Sequence, residues 1–588
     1  MSVSMPNKPF LLTTPDPAFL DLNAEEFILL GDWCLNDKTK KILSGKKYEI
    51  LDSPWTDDFI ASSGKYSLDL AKYWLPHLSR ILNNEHKVKK SENYWRILLT
   101  SWLLEYIEFT YVKYLLIKKA KETFGQFYTW FLNDEHFIKL KSSGQLRIFL
   151  ANNETYHFQV CTIVAEAMDI QGFKKDYRTS GKAHTAGAQK YFKNFLWRFI
   201  YPILKKEIII DNVGLTLLDK LKYPMFTGHN SCADGAFNLH PKYAASSKRF
   251  NRNCFNKLPT RNRFEDILKN SLDWGFPESC GEYFEENYQT TKYQFNNTRL
   301  VITSQLEHPE LMNFLGAIVV ENGGKLISFQ HGGAYGHYEL YGYPQEMIER
   351  FKANLFLSWG WKDKENENLC KVEPIAVPYL STLVNKYKRK NDNLIFVGAN
   401  PLILPFRLSY VFLRSNKYFI LEQKLLKLIS PEINAHLIYK KGRNQETDCE
   451  KELQNKFPDL NMTSTNLINL MKECEMAIMP FLSTSFIEAL VMNVPTVLLL
   501  DQNIFTLRES AKPQFDLLAN VGIVYKTPEK ATDFINETIR KNRTEQWWNC
   551  QETQTARNIF IHQYGLTSSN IIKVWKKFIA QELSSIKF

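Results

Sequence analysis

Between Arg299 and Asp501 one pattern recurs: a short apolar run ends in small or polar residues, and an amphipathic stretch leads on to the next run. Arg299-Leu-Val-Ile-Thr-Ser304 reads as a strand, His308 to Asn322 keeps its apolar residues on one helical face, Gly323-Gly324 fits a helix stop, and Lys325 to Gln330 reads as a strand again. This is a βαβ unit, which requires parallel pairing and a right-handed crossover. Ala353 to Trp359 supplies a further strand, and a second series follows in Asn393–Gly398, Ala435–Tyr439, Met476–Pro480 and Val494–Leu500. Strands alternating with helices specify an α/β fold of doubly wound parallel sheets, whose ligands bind outside the carboxyl ends of the strands.

A chain of 588 residues exceeds what one hydrophobic core holds, so two or three domains are expected. The break between the two strand series falls around 375–392, where Pro378 precedes a Lys-rich stretch, giving an amino-terminal unit 1–380 and a carboxyl-terminal unit 381–588. Before the first series, Pro9–Thr14 and Phe27–Gly31 are strand-like. From Leu68 to Phe131 apolar residues recur at helical spacing, including Trp95, Leu98, Leu99, Trp102, Leu103 and Tyr106, which predicts a helical layer whose aromatics form core. Leu146–Leu150 is expected as a strand, and Leu204 to Asp211 as a segment entering one; the rest of 140–300 has no clear period.

The formal charge of +11 comes from Lys and Arg scattered among Asp and Glu, which suits an anionic substrate, phospholipid surface or nucleic acid without choosing among them; in the overall reading nucleic acid is not expected as a partner. Nine cysteines form no C-x-x-C pair and no zinc-ligand spacing, so reduced thiols in a reducing compartment are expected, without structural zinc. Met1 to Leu12 lacks a signal-peptide pattern, and the most apolar helical stretch, Tyr94 to Ile117, is interrupted by Arg96, Glu105, Glu108 and Lys113. A cytoplasmic protein is expected, with peripheral contact at the inner face of the cytoplasmic membrane left open.

Two strand ends carry the chemistry. In Ser483-Thr484-Ser485-Phe-Ile-Glu488 three hydroxyls precede an apolar helix, whose free N–H groups and positive dipole end favour a phosphate. The same residues also fit a capping box, Ser485 with Glu488, which would satisfy the helix alone. Lys440, Lys441 and Arg443 follow a strand directed at the same sheet edge and are candidate phosphate ligands, or a solvated turn. In Gln330-His331-Gly332-Gly333-Ala-Tyr335-Gly336 a histidine ends a parallel strand among glycines that let a ligand approach the backbone; it is a candidate general base. Asp234, in a polar loop beginning at His229, is a candidate nucleophile or base, with a plain Asp-Gly turn as the alternative. Asp32, after the second strand-like piece, is comparable. A phosphate-binding Walker loop, a G-x-S-x-G elbow, an H-E-x-x-H motif and an Asp-x-Asp at a strand end are all missing, so NTPase, serine hydrolase and zinc protease chemistry have no support.

Phe27-Ile-Leu-Leu-Gly-Asp-Trp-Cys34, Ser328-Phe-Gln-His-Gly-Gly-Ala-Tyr-Gly336 and Ser483-Thr-Ser-Phe-Ile-Glu-Ala-Leu490 with Asn493-Val-Pro-Thr-Val497 together resemble a family of transferases encoded in bacterial O-antigen and other surface-polysaccharide clusters. The last block is also similar to the carboxyl-terminal domain of GT-B glycosyltransferases. That resemblance implies two Rossmann-like domains facing a cleft, with Ser483, Thr484 and Ser485 on donor phosphate and Glu488 on the nucleoside. The Gln-His-Gly-Gly block resembles the amino-domain edge of capsule enzymes, including transferases of CMP-activated 3-deoxy-octulosonate (Kdo) and CDP-glycerol polymerases. The His-Pro pair of many Kdo- and sialyl-type enzymes has no match here, so CMP-Kdo enters as a candidate donor.

The resulting expectation is a metal-independent, cofactor-free glycosyltransferase that moves a sugar from a nucleotide donor to a lipid-linked or oligosaccharide acceptor in surface-glycan assembly. Lys441, Arg443 and the helix at Ser485 would stabilise the leaving phosphate, and His331 or Asp234 would be base or nucleophile. Gln330, Gly332, Gly333 and Tyr335 would line the cleft, and closure of the two units would exclude water. Transfer of glycerol phosphate on the same scaffold, and a non-catalytic glycan-binding scaffold, are the alternatives.

Overall fold

The computed structural model describes residues 8–52, 55–175, 207–215, 231–233, 250–306, 310–398, 408, 415–442, 448–501 and 503–586. Three parallel sheets organise them. The first contains β1 (Phe10–Leu12), β2 (Glu26–Leu29), β3 (Lys47–Ile50), β4 (Tyr128–Leu132) and β5 (Gln171–Lys175) in the order β3-β2-β1-β4-β5. The second contains β6 (Ile208–Asp211), β7 (Ser231–Ala233), β8 (Leu300–Thr303), β9 (Lys325–Phe329), β10 (Leu355–Ser358) and β11 (Lys371–Pro374), ordered β11-β10-β9-β8-β6-β7. The third contains β12 (Leu394–Val397), β13 (Leu437–Lys440), β14 (Asn461–Thr463), β15 (Met476–Met479), β16 (Thr496–Leu499) and β17 (Val524–Tyr525), ordered β14-β13-β12-β15-β16-β17. Every pairing within them is parallel.

The α/β class of doubly wound parallel sheets is the expected one, and the second and third sheets arise from the two strand series. The first sheet joins β1 and β2, which lie in the strand-like pieces Pro9–Thr14 and Phe27–Gly31, to three strands that were not expected. Residues 1–380, expected as one unit with a helical layer, hold two sheets. The helical layer itself is a hairpin, Asp57–His86 and Glu92–Phe124, each helix capped by a hydroxyl (Thr56 on Phe59 N, Ser91 on Tyr94 N), with Lys87 turning the chain at φ 56°. Its aromatics are core, as their spacing required: Trp95 and Trp102 are fully buried. The expected strand at Leu146–Leu150 is instead part of helix Ser143–Asn152. Leu146 and Leu150, four apart, are buried while Ile148 is half exposed, and Ser142 caps Gln145 N. A five-residue apolar run carries no period long enough to separate the two structures.

The second sheet is covered on both faces, which explains its unbroken apolar strands. Along β6, Ile209 faces the core shared with the first sheet and the hairpin, whereas Ile208 and Ile210 face the core shared with the third sheet. Carboxyl-terminal residues complete that second face: Trp575 Nε1 donates to Ala376 O at 2.9 Å, Leu566 N to Trp359 O at 2.8 Å, and Lys325 pairs with Glu582 at 2.7 Å. The hairpin is tied to the second sheet by Lys352, wholly buried, whose ammonium donates to Ser101 Oγ at 2.8 Å and Leu306 O at 2.6 Å.

Trp102, whose indole N–H donates to Gly275 O at 2.7 Å, stands at the centre of this layer. Trp102→Ala is expected to cost about 3–5 kcal/mol, read as a lower urea midpoint.

Candidate functional site

The strand order of the third sheet reverses between β12 and β15, and a crevice forms outside the carboxyl ends at such a point. Ser483 stands there, shortly beyond the end of β15, and opens helix Thr484–Met492. Its backbone is extended (φ −147°, ψ 179°), and its side chain makes no capping hydrogen bond. The hydroxyl oxygen is buried and has no hydrogen-bond partner. The capping box of Ser485 with Glu488 therefore does not form: the helix begins one residue before Ser485, which leaves both side chains inside it. A nine-residue helix whose N-cap hydroxyl is unused leaves its first N–H groups and positive dipole end for an anion.

The loop after β9 lies directly on this helix start. Gly333 N donates to Thr484 Oγ1 at 3.0 Å, and a methyl group on Gly333 would come within 2.8 Å of Thr484 Cα. Glycine is thus required by the contact itself, not by backbone conformation. His331 is exposed at the end of β9 and Gly332 is half-buried. The two sequence blocks meet through Gly333 and Thr484, so Thr484 latches the loop. Ser485 is half-buried, and Glu488, further along the same helix, is buried.

Two residues expected to line the cleft do something else. Gln330 is buried and its side chain is spent on the loop: Nε2 donates to Gly332 O at 2.7 Å, while Oε1 accepts from Trp359 N at 2.9 Å and Trp361 Nε1 at 2.8 Å. Tyr335 is buried, donates to Glu349 Oε1 at 3.0 Å and stacks on Phe356. Both shape the loop from behind. Lys440, the last residue of β13, is buried and donates to the Lys441 carbonyl; Lys441 is half-buried, with its N–H on Thr463 O at 2.9 Å. Asp234 and Arg443 lie outside the described residues, as does His229.

Sequence reasoning missed the group that fixes the loop. Tyr338 and Leu507 form an antiparallel bridge, Glu339 N donates to Thr506 O at 3.2 Å, and Tyr338 Oη donates to Leu482 O at 3.1 Å. Beside this bridge the Arg508 guanidinium meets both oxygens of Glu346 at 3.0 Å and Asp363 Oδ2 at 3.3 Å. Arg350 meets Glu346 at 3.0 Å and Asp363 at 2.6 Å, and Gly336 N donates to Glu346 Oε2 at 3.0 Å. Two cations and two carboxylates, all buried, balance one another across the junction. Burial opposes ionisation of Asp363, but Arg350 and then Arg508 hold its carboxyl below the usual range. His337 packs among Phe515, Phe560 and Tyr564; burial, then Arg508, lowers its pKa to about 3, so it stays neutral near pH 7. Residues of the two units expected from the sequence meet here through one antiparallel bridge and buried ions.

Among the described residues no group of His, Cys, Asp and Glu could hold a metal ion, and no helix is long and apolar enough to cross a membrane.

The sheets and their reversal points define an α/β protein of doubly wound parallel sheets. The sequence matches the description LIC12162 family transferase over residues 9–579, and the chain belongs to that family. The protein is a transferase. No curated protein matches the sequence. Among solved structures it is similar to the α,α-trehalose 6-phosphate synthase of Burkholderia multivorans, at 9% identity and a TM-score of 0.36 over 65% of this chain and 99% of that one. It is also similar to MurG of Acinetobacter baumannii (11%, 0.33, 64% and 99%) and to WaaG, a glycosyltransferase involved in lipopolysaccharide biosynthesis (10%, 0.29, 51% and 95%). Likenesses this remote say nothing about donor or acceptor.

Arg508→Met leaves a buried carboxylate short of a cation and is expected to cost about 3–5 kcal/mol, read by urea unfolding. Because the Asp363 pKa is depressed, the stability it contributes is present above the ordinary carboxylate range and is lost as pH falls through the lowered value. Asp363→Asn is expected to flatten the acid side of a thermal-midpoint profile.

Proposed function

We propose that this transferase is a glycosyltransferase of the GT-B type, moving a sugar from a nucleotide-activated donor to a lipid-linked or oligosaccharide acceptor in surface-polysaccharide assembly. The observation that carries the reading is the start of helix Thr484–Met492: an uncapped N-terminus at the reversal point of a Rossmann-ordered sheet, with an unpartnered Ser483 hydroxyl, against a glycine loop whose neighbour is an exposed histidine. Residues 381–588 would hold the nucleotide and residues 1–380 the acceptor. The donor diphosphate or monophosphate would lie on the N–H groups of Thr484 and Ser485 with Ser483 Oγ donating, and Lys441 and Arg443 adding positive charge.

In the transfer the acceptor oxygen forms a bond to the anomeric carbon while the bond from that carbon to the phosphate oxygen breaks. The acceptor proton passes to His331, or to Asp234, and the released phosphate charge is stabilised by the helix end and Lys441. No cofactor takes part. CMP-Kdo is the first donor to test, beside CDP-, UDP- and GDP-linked sugars.

Calorimetry with CMP, CDP, UDP and GDP is expected to give binding of at least one, weakened about ten- to a hundredfold in Ser483→Ala, since a hydrogen bond to a charged group contributes about 1.5–3 kcal/mol. His331→Ala is expected to retain that binding while donor turnover falls by about 10²–10⁴. A folded chain that binds none of the four nucleotides overturns the reading.

A further inference from the structure

The proposed donor crevice leaves the first sheet without a task, together with the block Phe27–Cys34 that marks its second strand. Yet this sheet also reverses direction, between β1 and β4, the point at whose carboxyl edge sheets of this kind take ligands. The first sheet's side of the chain touches the loop after β16: Asp57, beyond the end of β3, accepts a hydrogen bond from Thr506, the residue beside the bridge between Tyr338 and Leu507.

Four features of the edge point to a ligand. Thr14, two residues past the end of β1, has no exposed surface and its hydroxyl has no hydrogen-bond partner. Trp33, following β2, is partly exposed; its Nε1 donates to Thr13 O at 3.5 Å, and its ring lies so close over Gly31 that a methyl group there would stand 2.0 Å away. Gly31 is thus what lets the indole fold down onto the strand end. Asn36 Nδ2 donates to Pro15 O at 3.1 Å, which joins the loops after β1 and β2 into one surface. Finally Glu154, opening helix Glu154–Ala167, is half-buried beside Asp16; burial first, and the Asp16 charge second, raise its pKa to about 7, with Lys38 acting in the opposite sense.

An indole beside two carboxyl groups and a buried hydroxyl suits a polyol. The apolar C–H face of a sugar ring covers the indole, and its hydroxyls donate to the carboxyl oxygens. A phosphate would instead bring like charge against Asp16 and Glu154. We propose that this edge is a carbohydrate-binding site that holds the acceptor, a neutral polyhydroxylated glycan, with a ring on Trp33 and hydroxyls on Asp16, Glu154 and Thr14. Its identity as the acceptor site rests on the transferase reading above, whereas the carbohydrate site does not.

Saturation-transfer difference NMR on the whole chain, with the methyl glycosides of glucose, galactose, mannose, rhamnose and N-acetylglucosamine as probes, tests it. At least one glycoside is expected to bind. Its affinity is expected to fall about tenfold or more in Trp33→Ala and Asp16→Asn and to survive in Trp33→Phe, while nucleotide binding by calorimetry stays unchanged. If Trp33→Ala does not fold by circular dichroism, Asp16→Asn and Thr14→Val decide. No binding of any glycoside to the folded wild type, or binding untouched by these substitutions, overturns the site even if nucleotide binds. Glycoside binding that depends on Trp33 in a chain that binds no nucleotide keeps the carbohydrate site and overturns its role as acceptor site.

Discussion

The geometry of the candidate site hangs on four buried charges. Arg508 comes from the loop after β16, whereas Glu346 and Arg350 belong to the helix between β9 and β10 and Asp363 to the stretch after β10. In a low-dielectric interior each would be costly alone; together they are neutral, and the two guanidinium groups fork across the two carboxylates. Because Glu346 also takes the N–H of Gly336, the group reaches the Gly-Gly loop directly and sets how it rests on Thr484. Sliding the loop along the helix would strand at least one of these charges, so the junction has one good register.

Legibility in the sequence followed the length of the periodic pattern. From Arg299 onward, strands and helices alternate with enough residues for both periods to show, and β8, β9, β10, β12, β13, β15 and β16 lie where the pattern puts them. Of the first sheet, β1 and β2 lie within the two strand-like pieces Pro9–Thr14 and Phe27–Gly31, and the rest was hidden for separate reasons. β3 has four residues, all exposed, and β4 follows so soon after helix Glu92–Phe124 that its apolar residues extend the helical reading. Pairing among strands far apart in sequence, such as β1 with β4, leaves no local mark.

The candidate site divides in the same way. His331, the glycines and the hydroxyls after β15 could be found because strand ends with small residues are a local signal. Gln330 and Tyr335 carried that signal too, and only the packing of Trp359, Trp361 and Glu349 shows that they serve the loop. Glu346 and Arg350 stand four apart on helix Pro344–Lys352, a spacing that reads as a solvated surface pair; their burial comes with Arg508, which lies 162 residues from Glu346.

The double covering of the second sheet bears on how the chain comes to be folded. One face is closed by residues made before it, the other by helix Ile571–Ser584 and the third sheet, which are made after it. During synthesis the apolar face formed by Ile208, Ile210, Ile302 and Phe329 therefore stays open until that helix leaves the ribosome. A nascent chain of this kind depends on chaperones or on speed to keep that surface from meeting its own copies.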